Sequence, residues 1–395
     1  MSFIGTCIIY LIIFSLFLGG VASICNEESP LAKEFSNGLG AIGIIFVPVA
    51  GVMASFPYLT SFISSYVTPI FNTIGADPSI AATSFIAVDM GGYHLAKELA
   101  KTNESWMLSM VVGCMAGASL VFTIPVALKF LKKEDHQYFA MGSLAGFIAI
   151  PFALMVAALI MQFSLVMIRP EISTQTSELI KLSFSWKQIV MDLTPVTVVC
   201  FLIALALYFI PKIIVQMFMY YGYFLEALLK LIFIFSAVEY FTGFFSSVLG
   251  GWGFDPIIAD AKDFNRALEV AGYIGIMLAG AFPLMYLLQK YLRVPLEFVS
   301  RKLGLSSLAL TGLLAASANV LALFVLIPRM TPEDKIKTVA FAVCSAFLVG
   351  DHLAFAANYQ PSMIPIIIFS KFIGGVFAIA ISHYFVIPHI LKKRS

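Results

Sequence analysis

The chain has 395 residues, 60% of them hydrophobic and only 12% charged, with a net charge of +2. A soluble domain carries about 25% charged residues, so a water-soluble globule is excluded, and the small net charge argues against a nucleic-acid partner. The apolar runs are roughly 20 residues long and do not alternate, which fits membrane-spanning helices and not the short alternating strands of a β-barrel.

In chain order, the runs predict spans at 2–22, 38–57, 79–98, 105–130, 138–168, 189–210, 222–249, 268–290, 306–328, 338–357 and 362–388. That is an all-α polytopic membrane protein with about eleven transmembrane segments, ten to twelve allowing for boundary error. The first run lacks a positive n-region, so it is read as a retained span and not as a cleaved signal peptide. Residues 58–77 are apolar but short and split by proline, as an interfacial or re-entrant piece is. The longest polar connection is 169–187, and nothing resembles a soluble domain. Cys7, Cys25, Cys114, Cys200 and Cys344 form no CxxC pair and read as packing residues. "GCMAG" (113–117), "GSLAG" (142–146) and Gly272, Gly275 and Gly280 are small-residue patterns that let helices approach closely. They serve internal packing or an oligomer equally well.

Basic residues cluster at 129–136, 290–302 and the C-terminal "LKKRS", and all three favour the cytoplasm. Four spans separate the first two clusters, so they agree. Three separate the second from the tail, so they conflict unless one of the last three segments is re-entrant.

Two apolar runs end at carboxylates. "SFIAVDMGGYHLAKELA" (84–100) carries Asp89 followed by Gly91 and Gly92, and "SAFLVGDHLAFAAN" (345–358) carries Asp351 after Gly350 and before His352. A carboxylate in the middle of a span costs about 2.5–3.5 kcal/mol on insertion scales and marks a partner or a watery cavity. The glycines let the helix break, and freed backbone groups then line protein or water. The arrangement predicts two broken or re-entrant helices around Asp89 and Asp351. It also predicts one transport domain whose repeat halves, 1–130 and 268–395, are joined by spans 138–249 and are inverted if every segment crosses. In that scheme 79–98 corresponds to 338–357. The alternative is a structural pair, Asp89 with Lys97 or Asp351 with His352, that only stabilises a break.

Other candidates for a binding site are Asn319 and Asn358 as amides, His352 as a proton-sensing group, and Tyr93 and Phe355 as aromatic faces for a cation. Lys97 and Glu98 read as an interfacial span end. Glu269 follows Arg266 by three residues, as an intrahelical ion pair does. His94 and Glu98 alone are half a metal site at most, and no metal or cofactor is implied. "LVGD" is superficially like the signature of intramembrane aspartyl proteases. However, Leu348 stands where its first glycine belongs, Val88 precedes Asp89, and no Pro-Ala-Leu element follows. HExxH, GxSxG and Walker A motifs are absent too, so catalysis is disfavoured. Two anionic positions in a membrane favour a small cation: an amine, sodium or a proton.

The runs "DMGGYHLAKELA" (89–100), "FTIPVAL" (122–128), "AGFIAIPFA" (145–153), "RALEVAGYIGIMLAGAFPL" (266–284) and "GDHLAFAAN" (350–358) resemble, in order, the ethanolamine utilisation permease family. The resemblance implies a multi-pass protein of the bacterial inner membrane that admits ethanolamine, as a carrier or facilitator, with proton or sodium coupling open. Protonated ethanolamine suits Asp89 and Asp351, which fall in the family's two signature segments, and Asn319 lies in a third. An ammonium or other amine channel is the alternative.

Overall fold

The computed structural model describes residues 2–164, 166–174, 178–251, 267–291, 298 and 304–388. Arg266, most of the basic stretch 290–302 and the tail beyond 388 lie outside them. Among the described residues, seven helices are long and apolar enough to cross a membrane: Phe3–Cys25, Pro30–Ala54, Asn103–Phe130, His136–Phe163, Trp186–Phe209, Ala267–Tyr291 and Pro361–Val386. The polar connection after the fourth forms only a two-stranded antiparallel ribbon, Met167–Ile168 with Ile180–Lys181. Stretch 58–77 is helical in two pieces, Phe56–Phe62 and Thr68–Ile74, around a π turn.

Two of the expected spans turn back instead of crossing. The helices Pro78–Phe85 and Gly92–Leu99 form a hairpin. Its two ends meet, because the Lys101 amide donates to Asp77 Oδ2 at 2.9 Å. Asp77 also caps the entering helix, accepting from the Ser79 amide, and its own amide donates to Asp192 at the start of helix 186–209. Ser307–Ala318 and Val320–Leu326 form a second hairpin. Its ends meet too, through the Ser306 amide on Asp334 and the Asp334 amide on Thr331 Oγ1.

The hairpins enter from opposite faces. Helix 103–130 starts beside the first mouth, where Ser105 Oγ donates to Asp192. It runs for 28 residues, roughly 40 Å at 1.5 Å per residue. Just beyond its far end, Asp135 binds Lys335 at 2.5 Å, next to the second mouth. Segment 332–359 therefore crosses: it begins at Lys335 on the second face, and Arg169 of the 164–185 connection binds its far end on the first. The two aspartate segments thus differ in kind, one a hairpin and one a broken crossing. The hairpin 78–99 is matched in shape by the hairpin 307–329.

One of the last three segments is thus re-entrant, the condition that removes the charge conflict along the chain. Because 307–329 is re-entrant, helix 361–386 ends on the same face as the turn after Phe130. Lys129, Lys132, Lys133, Arg329, Lys335 and Lys337 lie on the second-hairpin face, and Lys97, Lys101, Arg169, Lys181 and Lys187 on the first, so the described residues carry no strong charge bias between the faces.

The breaks are stitched to one another. The crossing segment loses helical form at 346–350, between Pro332–Ser345 and Asp351–Tyr359. There the Phe347 amide donates to Ala316 O at 3.0 Å and the Val349 amide to Ser317 O at 2.8 Å. The accepting carbonyls are left over where the second hairpin ends its first arm at Asn319, whose side chain caps the next arm through the Leu321 amide. The first hairpin's tip rests on helix 103–130, which widens into π turns at Gly113–Gly117 and Ser119–Thr123. A Cβ on Gly117 would lie 2.4 Å from Thr83 O, so the GxxxG pattern serves internal packing. Gly142 and Gly146 likewise seat Val339 and Val343 of the crossing segment.

Gly350 is the tightest of these approaches: an added Cβ would fall 2.0 Å from Ala318 O. Gly350→Ala should separate the stitched breaks and lower the thermal unfolding temperature in detergent, at a cost of about 2–4 kcal/mol. Gly40→Ala, where nothing lies within 4 Å, should leave it unchanged or slightly raised. Equal melting of the two variants would contradict the stitched geometry.

Candidate functional site

The tips of both hairpins and the break of the crossing segment converge on one cavity of about 50 Å³. One water occupies roughly 10–15 Å³ on this measure, so the space suits a molecule of a few non-hydrogen atoms. The first hairpin contributes Asp89 and Met90, the second Asn319 and Leu321, and the crossing segment Phe347, Asp351 and His352. Helix 103–130 adds Phe122 from its π region, and the long helices 30–54 and 267–291 close the wall with Ile44, Ile45 and Phe282.

Local backbone chemistry places each carboxylate. Ile86 and Ala87 are extended, Val88–Met90 form a 3-10 turn, and Gly91 stands at φ +92°. A side chain at 91 would need the left-handed region and would meet Val52. Asp89 sits inside that turn, only 5% exposed. Its Oδ1 is buried and accepts no hydrogen bond, and His352 Nε2 stands 3.9 Å away. Asp351 opens the helix that follows the second break, where the positive end of the helix dipole favours an anion. Phe347, at φ +60°, is the only non-glycine residue with positive φ among the described residues. Its ring packs edge-on against Phe122 and His352, so the strained turn holds an apolar lid beside the carboxylates.

Of the residues read from the sequence, the structure brings Asp89, Asp351, Asn319 and His352 to the cavity. Gly91, Gly92 and Gly350 lie at the breaks. Tyr93, Phe355 and Asn358 do not line it. Tyr93 and Phe355 belong to a fully buried stack with Trp106 and Tyr359, with ring centroids 4.7–5.8 Å apart. Asn358 donates to the Tyr273 and Ala354 carbonyls. Lys97 is not Asp89's partner: it donates to Pro170 O and Asn103 and covers the Trp106 ring at 4.1 Å.

Three residues escaped the sequence reading. Lys371 is 1% exposed; its ammonium donates to Cys114 O and to His352 Nδ1, the latter at 2.8 Å. The signal was present, since Lys371 is the only Lys, Arg, Asp or Glu between 361 and 386, and such a residue calls for a role. Gln360 and Arg169 are the others. Gln360 exchanges hydrogen bonds with both backbone groups of Arg169 and donates to Tyr93 Oη. The Arg169 guanidinium donates to Asn358 O at 2.6 Å and Tyr359 O at 3.2 Å. With Lys97 on Pro170, the connection binds both half-helices that lead away from the cavity. Stack and connection together seal the first face.

Arg169→Ala removes the hydrogen bonds that this guanidinium makes to 358, 359 and Ser173. Amide exchange in 166–174 and 355–360 should then quicken about tenfold, matching the ~1.5 kcal/mol of a charged hydrogen bond. Hydrogen–deuterium exchange by mass spectrometry reads this directly, and unchanged rates would mean that the seal is held elsewhere.

Comparison with known proteins bears on the whole chain. The sequence model described as "Ethanolamine utilisation protein, EutH" matches residues 4–385. A protein of Listeria monocytogenes named "Probable ethanolamine permease EutH" is 34% identical over 392 residues, covering 99% of this chain and 96% of that one. An Escherichia coli protein of the same name is 33% identical over 403 residues, covering 96% and 95%. The "Uncharacterized protein YxeR" of Bacillus subtilis is 31% identical over 371 residues, covering 93% and 92%. No solved structure matches the chain.

Proposed function

Because the chain belongs to the EutH family, we propose that it is a membrane permease for ethanolamine and takes the amine as its cation. The observation that carries this reading is the convergence of two carboxylates from separate chain breaks on one small buried cavity, with an Asp89 oxygen left without a hydrogen-bond donor. An ammonium group brings three donors and a positive charge, and an ion leaving water needs both a counter-charge and hydrogen bonds. Asp89 and Asp351 supply the counter-charge. Asn319, whose Oδ1 is engaged in its own cap, has its amide nitrogen to offer the substrate hydroxyl as a donor.

The cavity admits a few heavy atoms and is walled by Phe122, Phe282 and Phe347, so larger amines are excluded by volume. The opposed hairpins supply a route for alternating access: a site between tips that enter from opposite faces is exposed to one side or the other as either hairpin shifts. The halves 1–130 and 268–395 remain our reading of the repeat, with hairpins 78–99 and 307–329 as its matched parts. Within this reading the carboxylate pair binds; it does not catalyse.

Asp89→Asn and Asp351→Asn should each cut binding and uptake of labelled ethanolamine about 100-fold or more. Melting temperature and gel-filtration profile should stay like the parent protein's. Reconstituted vesicles loaded with unlabelled ethanolamine should take up label faster than empty ones, the mark of a carrier; equal rates would indicate a pore. Normal transport by both Asn variants would overturn the carboxylate site. Assays belong at mildly acid pH, where the neutral amine that crosses lipid unaided is scarce.

A further inference from the structure

Lys371 is a fully buried ammonium that touches no carboxylate. Among the described residues, its hydrogen-bonded route to a carboxylate runs through one imidazole, and it also feels the charge of Asp89 directly. Lys371 Nζ donates to His352 Nδ1 at 2.8 Å, and His352 Nε2 faces Asp89 Oδ1 at 3.9 Å. His352 lines the cavity, whereas Lys371 does not. The groups that face this chain are few. Asp89 reaches it from the first hairpin, and Asp351 precedes His352 on its own helix. The thiols of Cys114 and Cys344 lie beside Lys371, on helix 103–130 and on the first arm of the crossing segment. Phe347 covers the imidazole.

A buried ammonium persists only while a counter-charge offsets its desolvation. A substrate cation docked on Asp89 takes that counter-charge for itself. Lysine, unlike arginine, can then give up a proton, and the imidazole lies between it and the cavity with a nitrogen toward each.

Resting on the ethanolamine reading above, we propose that Lys371 is the carrier's exchangeable proton store: docking of a primary-ammonium substrate at Asp89 expels one proton through His352, so that cation entry is electrically neutral. The balance is simple. The substrate arrives as R–NH₃⁺. Lys371 goes from –NH₃⁺ to –NH₂, the electron pair of the broken N–H bond staying on Nζ. His352 takes that proton at Nδ1 and releases the one on Nε2 to cavity water, which carries it away as hydronium. One positive charge enters the site and one leaves, and no electron moves. The 3.9 Å gap at Asp89 is too long for a direct hydrogen bond. The departing proton therefore passes to water, not onto the carboxylate that the substrate needs.

The test uses the full chain in detergent, weakly buffered near neutral pH. Ethanolammonium chloride is the probe, a pH indicator reads protons, and equilibrium dialysis of labelled amine reads binding. The parent protein should release about one proton per amine bound. Lys371→Met should bind the amine and release less than about a tenth as much. Lys371→Arg, which keeps the charge and cannot lose it, should release as little and bind the amine more weakly, and serves if the Met variant misfolds. In vesicles, an inside-negative potassium diffusion potential should leave parent uptake unchanged and accelerate uptake by Lys371→Met severalfold. Binding by the parent without proton release would overturn the proton store while sparing the substrate site. Release persisting in both Lys371 variants would overturn it too, assigning the proton to the carboxylates. Failure of the parent to bind the amine at all would overturn the substrate reading and this inference with it.

Discussion

The structure depends on how unpaired backbone is handled inside a membrane. Lipid offers no hydrogen bonds, so a helix broken at mid-depth must find partners for every group it frees. Here the partners are another break or the turn itself. Amides of the 346–350 break meet carbonyls left over at 316 and 317, and the turn at 86–91 closes on itself through the Gly92 amide and Ala87 O. The breaks at 316–319 and 346–350 satisfy each other, and the turn at 86–91 satisfies itself. The same arrangement brings Asp89, Asn319 and Asp351 together, since a residue at a break is carried wherever the break must go.

Opposed hairpins also explain why the site sits between the two faces. The first enters from the face of the 164–185 connection, the second from the face of Asp135 and Lys335, and the long helices 30–54 and 267–291 pack beside them. Gly38 lies against Ala279 and Gly275 against Ile42, an antiparallel register in which a Cβ at either glycine would collide. The hairpins thus stand against a wall of uninterrupted helices. Broken elements hold the two carboxylates of the cavity, unbroken ones supply apolar bulk, and the unbroken helix 361–386 adds Lys371.

Much of this was legible in the sequence. The apolar runs gave the all-α class, and glycines next to Asp89 and Asp351 marked the breaks. Asn319 stood out as an amide among small apolar residues. What escaped was direction. A run of 20 apolar residues reads the same whether it crosses or turns back, and the deciding contacts, Lys101 with Asp77 and Ser306 with Asp334, join residues 24 and 28 apart. Only the mismatch in positive charge hinted that one late segment was re-entrant. Tyr93 and Phe355 neighbour the site in sequence, but the helix turns them into the aromatic stack. Lys371 is distant from both aspartates in sequence, so nothing local tied it to them.

Among the described residues, the connection that follows helix 136–163 binds two half-helices at once. Lys97 of the hairpin lies on Pro170, and Arg169 holds the end of the crossing segment. A ligand or antibody fragment that clasps this ribbon would therefore hold two half-helices at once without entering the membrane. The two half-helices beside the cavity thus share one anchor at the surface of the bundle.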